Sequence, residues 1–157
     1  MRDVVHPTAP PAQQEKQSAR RTGERRARVL IAEDDWAFRD VLLLTFEGKG
    51  YEVVAVGSGT DMLRAIGSSM LPRSGVRQFD LIVSDLRMPG WNGLVGLEKL
   101  ASNPLLPPIV LITAFGTDGV RQRAKRAGAV AVLDKPFDLD ELTALADTLV
   151  AQPHEPR

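Results

Sequence analysis

The chain has 157 residues, 43% of them apolar and 25% charged, with a formal net charge of zero. This is an ordinary composition for a soluble globular protein, and the length suits one domain with a sizeable core plus a tail. The absence of cysteine excludes a disulfide framework and a thiolate metal site. With no apolar stretch long enough to span a bilayer and no signal-peptide core, a cytoplasmic location is expected.

Residues 1–27 carry Pro7, Pro10 and Pro11, a Gln-rich stretch and an Arg-rich finish, with almost no large apolar side chains. Such a segment cannot offset its ordering entropy by burial, so a disordered basic tail is expected there. From residue 28 to 151, short apolar runs alternate with helix-like segments, the pattern of βα units around a parallel sheet. A first strand at 28–32 precedes a helix at 36–48, whose stripe is read as Phe38, Val41, Leu42, Leu44 and Thr45. A second strand at 51–56 leads to a helix at 60–66. A long loop at 67–78, rich in Ser, Gly and basic residues, separates it from a third strand at 80–84. The Pro89-Gly90 turn follows, then a helix at 93–102 with Leu94, Leu97 and Leu100 at helical spacing. Pro104, Pro107 and Pro108 force an extended connection into a fourth strand at 109–112. The fourth helix, 117–127, is mostly polar, with Arg121, Arg123, Lys125 and Arg126 toward its negative end. A fifth strand at 129–133 and a last helix at 139–150, opened by Asp138 and Asp140, complete the domain and leave a short tail at 152–157.

The ends of four strands carry the chemistry. Glu33 and Asp34 close the first, Asp85 the third, Thr113 the fourth and Lys135 with Pro136 the fifth. In an open doubly wound sheet ligands sit outside the carboxyl ends of the strands, where strand order reverses. An order of 2-1-3-4-5 brings these residues together. Asp34 and Asp85 then suit direct coordination of Mg²⁺, and Glu33 a water-mediated contact, because a hard cation that keeps several waters takes one or two carboxylates plus phosphate oxygens. An aspartate can attack phosphorus to form an aspartyl phosphate. Lys135 could neutralise charge and the Thr113 hydroxyl could donate to a phosphoryl oxygen.

The combination resembles the receiver domain of two-component response regulators across roughly residues 27–150. The resemblance rests on four motifs in order: Ile31-Ala32-Glu33-Asp34-Asp35 with Arg39; Ser84-Asp85-Leu86-Arg87-Met88-Pro89-Gly90 with Gly93; Leu111-Ile112-Thr113-Ala114; and Leu133-Asp134-Lys135-Pro136-Phe137. It implies an α/β, flavodoxin-like doubly wound (βα)5 fold with a five-stranded parallel sheet in the order 2-1-3-4-5. It implies Asp85 as phosphoacceptor, Thr113 and Lys135 as its partners, and Mg²⁺ held by Glu33, Asp34, Asp85 and the Arg87 backbone carbonyl. By the same alignment Asp35 is a helix N-cap rather than a ligand, Lys135-Pro136 is a cis peptide, and Thr113 moves toward the phosphoryl group. The chain is then a regulatory phosphoacceptor rather than an enzyme. It takes its phosphoryl group from a histidine kinase or a histidine phosphotransfer protein and signals by protein contact or relay, with a phosphorylation-dependent homodimer admitted. With only 152–157 beyond the last helix, no output domain is expected. Two departures from the family pattern stand out: Val132 replaces the aromatic switch residue three positions before the lysine, and the 67–78 loop is longer than usual.

Rival readings remain at this level. Carboxylates at strand ends more commonly cap helices, and a receiver-like adaptor could bind partners without phosphorylation. A haloacid-dehalogenase-type phosphatase also places an aspartate nucleophile after a strand, but it needs a second Asp two positions later, where Arg87 stands. The Arg-rich tail admits nucleic-acid contact, yet without aromatic interleaving or a helix-turn-helix a solvated tail is favoured. Trp91, just past the turn, is expected to be exposed, with loop packing and partner contact equally open, and Trp36 is expected to cover the site.

Overall fold

A computed structural model describes residues 25–71 and 75–152. Its main sheet has five parallel strands: β1 (Arg28–Ala32), β2 (Glu52–Val56), β3 (Leu81–Asp85), β6 (Ile109–Thr113) and β7 (Ala131–Asp134), in the order β2-β1-β3-β6-β7. This is the expected 2-1-3-4-5 arrangement. The helices are α1 (Trp36–Gly48), α2 (Gly59–Met70), α3 (Gly93–Leu100), α4 (Asp118–Arg126) and α5 (Leu139–Ala151).

Side chains alternate across a strand, so the sheet feeds two cores. Leu30, Ala32, Ile82 and Leu111 face α2, α3 and α4 and pack with Met62, Ile66, Leu94, Leu97 and Ala124. Val29, Ile31, Leu81, Val83, Val110 and Ile112 face α1 and α5 and pack with Leu42, Phe46, Leu142 and Ala146. The central strands β3 and β6 are buried along their whole length, which is why they read as unbroken apolar runs. The register places Ala32 opposite Ser84, Asp85 opposite Ile112 and Thr113 opposite Asp134. The polar residues that end or directly follow these strands therefore reach the same edge.

Several expectations need correction. The second helix continues past Ile66 to Met70. Gly67, Ser68 and Ser69 are poor helix formers, but Ser69 is buried and its Oγ donates to the Ile66 carbonyl at 2.8 Å, while Met70 packs on the core, so tertiary contact overrides propensity. The loop before β3 is correspondingly shorter than 67–78. Val41 and Leu44 are exposed, and the buried stripe of α1 is Leu42 with Phe46. The Pro89-Gly90 turn is flanked by two short antiparallel strands, β4 (Arg87–Met88) and β5 (Trp91–Asn92). Trp91 is partly buried against the core rather than exposed. A Cβ on Gly59 or Gly96 would lie 2.4 Å or 2.0 Å from its side-chain atoms, so these two glycines open the slot that the indole fills. The fifth strand begins at Ala131, two residues later than expected, and the fourth helix loses a residue at each end.

The expected tails at 1–27 and 152–157 fall largely outside the described residues. Arg25 pairs with Asp80, and the Ala27 carbonyl accepts from Glu52 N at 2.9 Å, so residues 25 and 27 are tied to the domain. No helix among the described residues is long and apolar enough to cross a membrane.

Candidate phosphoryl and metal site

The carboxyl edge of the sheet gathers three acids and one ammonium. Glu33 and Asp34 follow β1 and Asp85 ends β3. One carboxylate oxygen from each lies within 4.8 Å of the others. Glu33 is 1% exposed and Asp85 8%, whereas Asp34 opens to solvent. Lys135 Nζ donates to Asp85 Oδ2 at 2.7 Å and to Glu33 Oε2 at 2.8 Å. It also lies 4.8 Å from the centre of the Phe38 ring, a face that attracts cations.

Backbone groups hold the acids in place. Arg87 N donates to Asp85 Oδ1 at 2.8 Å and Asp35 N to Glu33 Oε1 at 3.2 Å. Asp35 is the N-cap of α1, its Oδ1 accepting from Ala37 N and Phe38 N, so the structure places it as the alignment expects. Lys135-Pro136 is cis. Thr113 is 1% exposed, and its hydroxyl oxygen accepts from Phe115 N at 3.0 Å. The hydroxyl thus faces the following loop, while the Thr113 carbonyl accepts from Lys135 N at 2.7 Å. Trp36, expected to cover the site, is 71% exposed.

The electrostatics follow from burial and crowding. Desolvation pushes the Glu33 carboxyl above its ordinary value; the Lys135 hydrogen bond opposes this, and the nearby Asp85 charge adds to it. Burial alone would lower the Lys135 ammonium, but its hydrogen bonds to Asp85 and Glu33 outweigh that and hold it above its usual value. Three acids face one ammonium, so the cluster has negative charge to spare. An all-oxygen donor set with surplus charge fits a hard divalent cation.

Sequence reasoning missed some supporting side chains. Arg39 served only as a spacing marker, yet its Nη1 donates to the Glu33 carbonyl at 2.7 Å and anchors the turn bearing the acidic pair. Phe38, a stripe residue in the sequence pattern, lies beneath Lys135 Nζ. A separate cavity of about 890 Å³ opens among Phe79, Leu97, Pro107, Val130 and Leu149. It lies at the opposite end of the strands and gathers no convergent acids.

Residues 29–147 match the family model described as the response regulator receiver domain. The chain belongs to that family. This receiver domain is 30% identical over 127 residues to the DNA-binding transcriptional regulator NtrC of Escherichia coli (strain K12), covering 81% of this chain and 25% of that protein. It is 34% identical over 125 residues to the transcriptional regulatory protein PdtaR of Mycobacterium tuberculosis (strain H37Rv), covering 80% of this chain and 57% of that protein. The chain thus spans a quarter to just over half the length of these relatives. Among solved structures, the receiver domain resembles Vibrio cholerae chemotaxis protein CheY4 at 25% identity and TM-score 0.69, covering 80% of this chain and 99% of that one. It also resembles a putative response regulator from Chloroflexus aurantiacus at 28% identity and TM-score 0.70, covering 82% and 100%.

Proposed function

We propose that this receiver accepts a phosphoryl group on Asp85 from a phosphohistidine of a histidine kinase or a histidine phosphotransfer protein, and signals through protein contacts. The observation that supports this most is Lys135 Nζ bridging Asp85 and Glu33 within a three-carboxylate cluster. An Asp85 carboxylate oxygen bonds to phosphorus as the phosphorus–nitrogen bond of the donor breaks, and the electron pair leaves with the imidazole. Lys135 offsets charge on the reacting carboxylate and phosphoryl oxygens. The Arg87 backbone N–H fixes the orientation of Asp85 through Oδ1. On this reading the Thr113 hydroxyl leaves Phe115 N and turns to a phosphoryl oxygen.

Glu33, Asp34, Asp85 and the Arg87 carbonyl would hold Mg²⁺, which when bound neutralises phosphoryl charge and orients the group for in-line attack. The protein is a regulatory phosphoacceptor, and a cytoplasmic setting follows from its donor. Incubation with acetyl phosphate and Mg²⁺ followed by intact-mass measurement tests the reading. Gain of one phosphoryl group, labile at alkaline pH and absent with EDTA, is expected; an unchanged mass overturns it.

A further inference from the structure

A second polar cluster lies beside the site and takes no part in the phosphoryl chemistry. Asp134, the last residue of β7, immediately precedes Lys135. Its Oδ2 accepts from Arg121 Nη1 of α4 at 2.6 Å. Its Oδ1 is buried without a hydrogen-bond partner among the described residues. A Cβ on Gly116 would fall 1.5 Å from that oxygen and 3.1 Å from Arg121 Nη1. The carboxylate therefore fills the space that any side chain at position 116 would need. The loop from Thr113 to Gly116 is held at one end by Lys135 N on the Thr113 carbonyl and at the other by Asp134 against Gly116. The next residue, Thr117, is the N-cap of α4, its Oγ1 accepting from Val120 N.

We infer that the Arg121–Asp134 pair, seated against Gly116, is the latch that couples occupancy of Asp85 to α4; the inference rests on the phosphoacceptor reading above. A buried carboxylate oxygen without a partner is unfavourable. Displacement of the Thr113–Gly116 loop toward Asp85 withdraws Gly116 and opens that oxygen to water. The displaced loop carries the α4 cap with it and loosens the Arg121–Asp134 pair that holds the helix to β7. The two states thus differ in contacts at one defined point, which coupling requires. Val132 offers no ring to rotate, and α4 buries only Ala124 fully; Arg123 ties the helix to Glu98 of α3, and the Arg121–Asp134 pair is the ion pair that ties it to the end of β7.

The test compares amide hydrogen exchange across residues 118–126 with and without acetyl phosphate and Mg²⁺, with intact mass recorded in parallel. In the native protein phosphorylation should speed exchange there by about tenfold, within the lower part of the usual coupling range. In Arg121→Ala the unphosphorylated protein should already exchange at the faster rate, so that the ratio falls to about one, and Arg121→Lys should restore part of it. Gly116→Ala, whose Cβ displaces the Asp134 carboxylate and crowds Arg121 Nη1 while keeping both side chains in the sequence, should lose the ratio in the same way. If either Arg121→Ala or Gly116→Ala keeps the native ratio, or if native α4 does not respond while the mass shows full phosphorylation, the latch is wrong. If the native mass does not change, the phosphoacceptor reading has failed and the latch falls with it.

Discussion

Replacing Lys135 with methionine isolates the electrostatics of the site. The change removes the ammonium that bridges Asp85 and Glu33 at 2.7 and 2.8 Å and keeps a flexible apolar side chain over Phe38. At an effective dielectric of about 20, opposite charges about 4 Å apart attract by roughly 4 kcal/mol. Removing one partner of a buried pair typically costs about 3–5 kcal/mol. The Lys135 side chain is 24% exposed, so a net loss of about 2–4 kcal/mol is expected at pH 8 without divalent cations.

The pH dependence carries a sign. The folded Glu33 carboxyl titrates above its ordinary value of 4.5, so the folded state holds that proton more tightly than the unfolded chain. Its contribution is favourable below the unfolded value and is lost as pH rises through the folded one. Loss of the Lys135 hydrogen bond raises the folded value further. The destabilisation should therefore grow between about pH 5 and pH 8. The native lysine, itself held above 10.5, keeps its own contribution throughout that range and loses it only at higher pH. Urea unfolding followed by Trp36 and Trp91 fluorescence, at both pH values in EDTA and again in Mg²⁺, measures this. Mg²⁺ should return part of the lost stability, because a cation replaces the missing charge. A variant as stable as native at pH 8, or a deficit that does not change with pH, would refute the reasoning.

Three further outcomes follow. Asp34→Ala should weaken Mg²⁺ binding far more than Asp35→Ala, which instead should cost about 1 kcal/mol of stability as a lost N-cap; equal effects in a Mg²⁺ titration would place the acidic pair one residue out. Trp91→Ala should cost about 2–3 kcal/mol in chemical denaturation, somewhat less than a fully buried aromatic, and a loss below about 1 kcal/mol would show that the slot between Gly59 and Gly96 does not hold the fold together. Thr113→Ala should leave Asp85 phosphorylatable by intact mass while reducing the phosphorylation-dependent change in hydrogen exchange across residues 114–127; an unaltered exchange response would remove Thr113 from the coupling.

The sheet edge was legible because each central strand is buried on both faces. An unbroken apolar run ending in a polar residue marks both the strand and the side chain that it delivers. Strand order is not written locally, but right-handed βα connections leave few alternatives, and the convergence of Glu33, Asp34, Asp85 and Lys135 required only that order. What escaped depends on contacts distant in sequence. The last turn of α2 is made of poor helix formers held by the core, so propensity ended it at Ile66. Val41 and Leu44 sit among other apolar residues on α1, and a dense pattern conceals which side is covered. Trp91 reads as a loop residue until Gly59 and Gly96, far apart in the chain, are seen to form its slot. The Arg121–Asp134 pair likewise joins a polar helix to a strand end, and neither residue signals the other from its own neighbourhood.

The central claim is that Asp85 receives the phosphoryl group. Its most direct test is intact-mass and peptide-level mapping of native protein and Asp85→Asn after identical exposure to acetyl phosphate and Mg²⁺. The account predicts one phosphoryl group on the native chain, located in the peptide containing Asp85, and none on the Asn variant. Equal labelling of the variant, or a modification mapped to another residue, would contradict it.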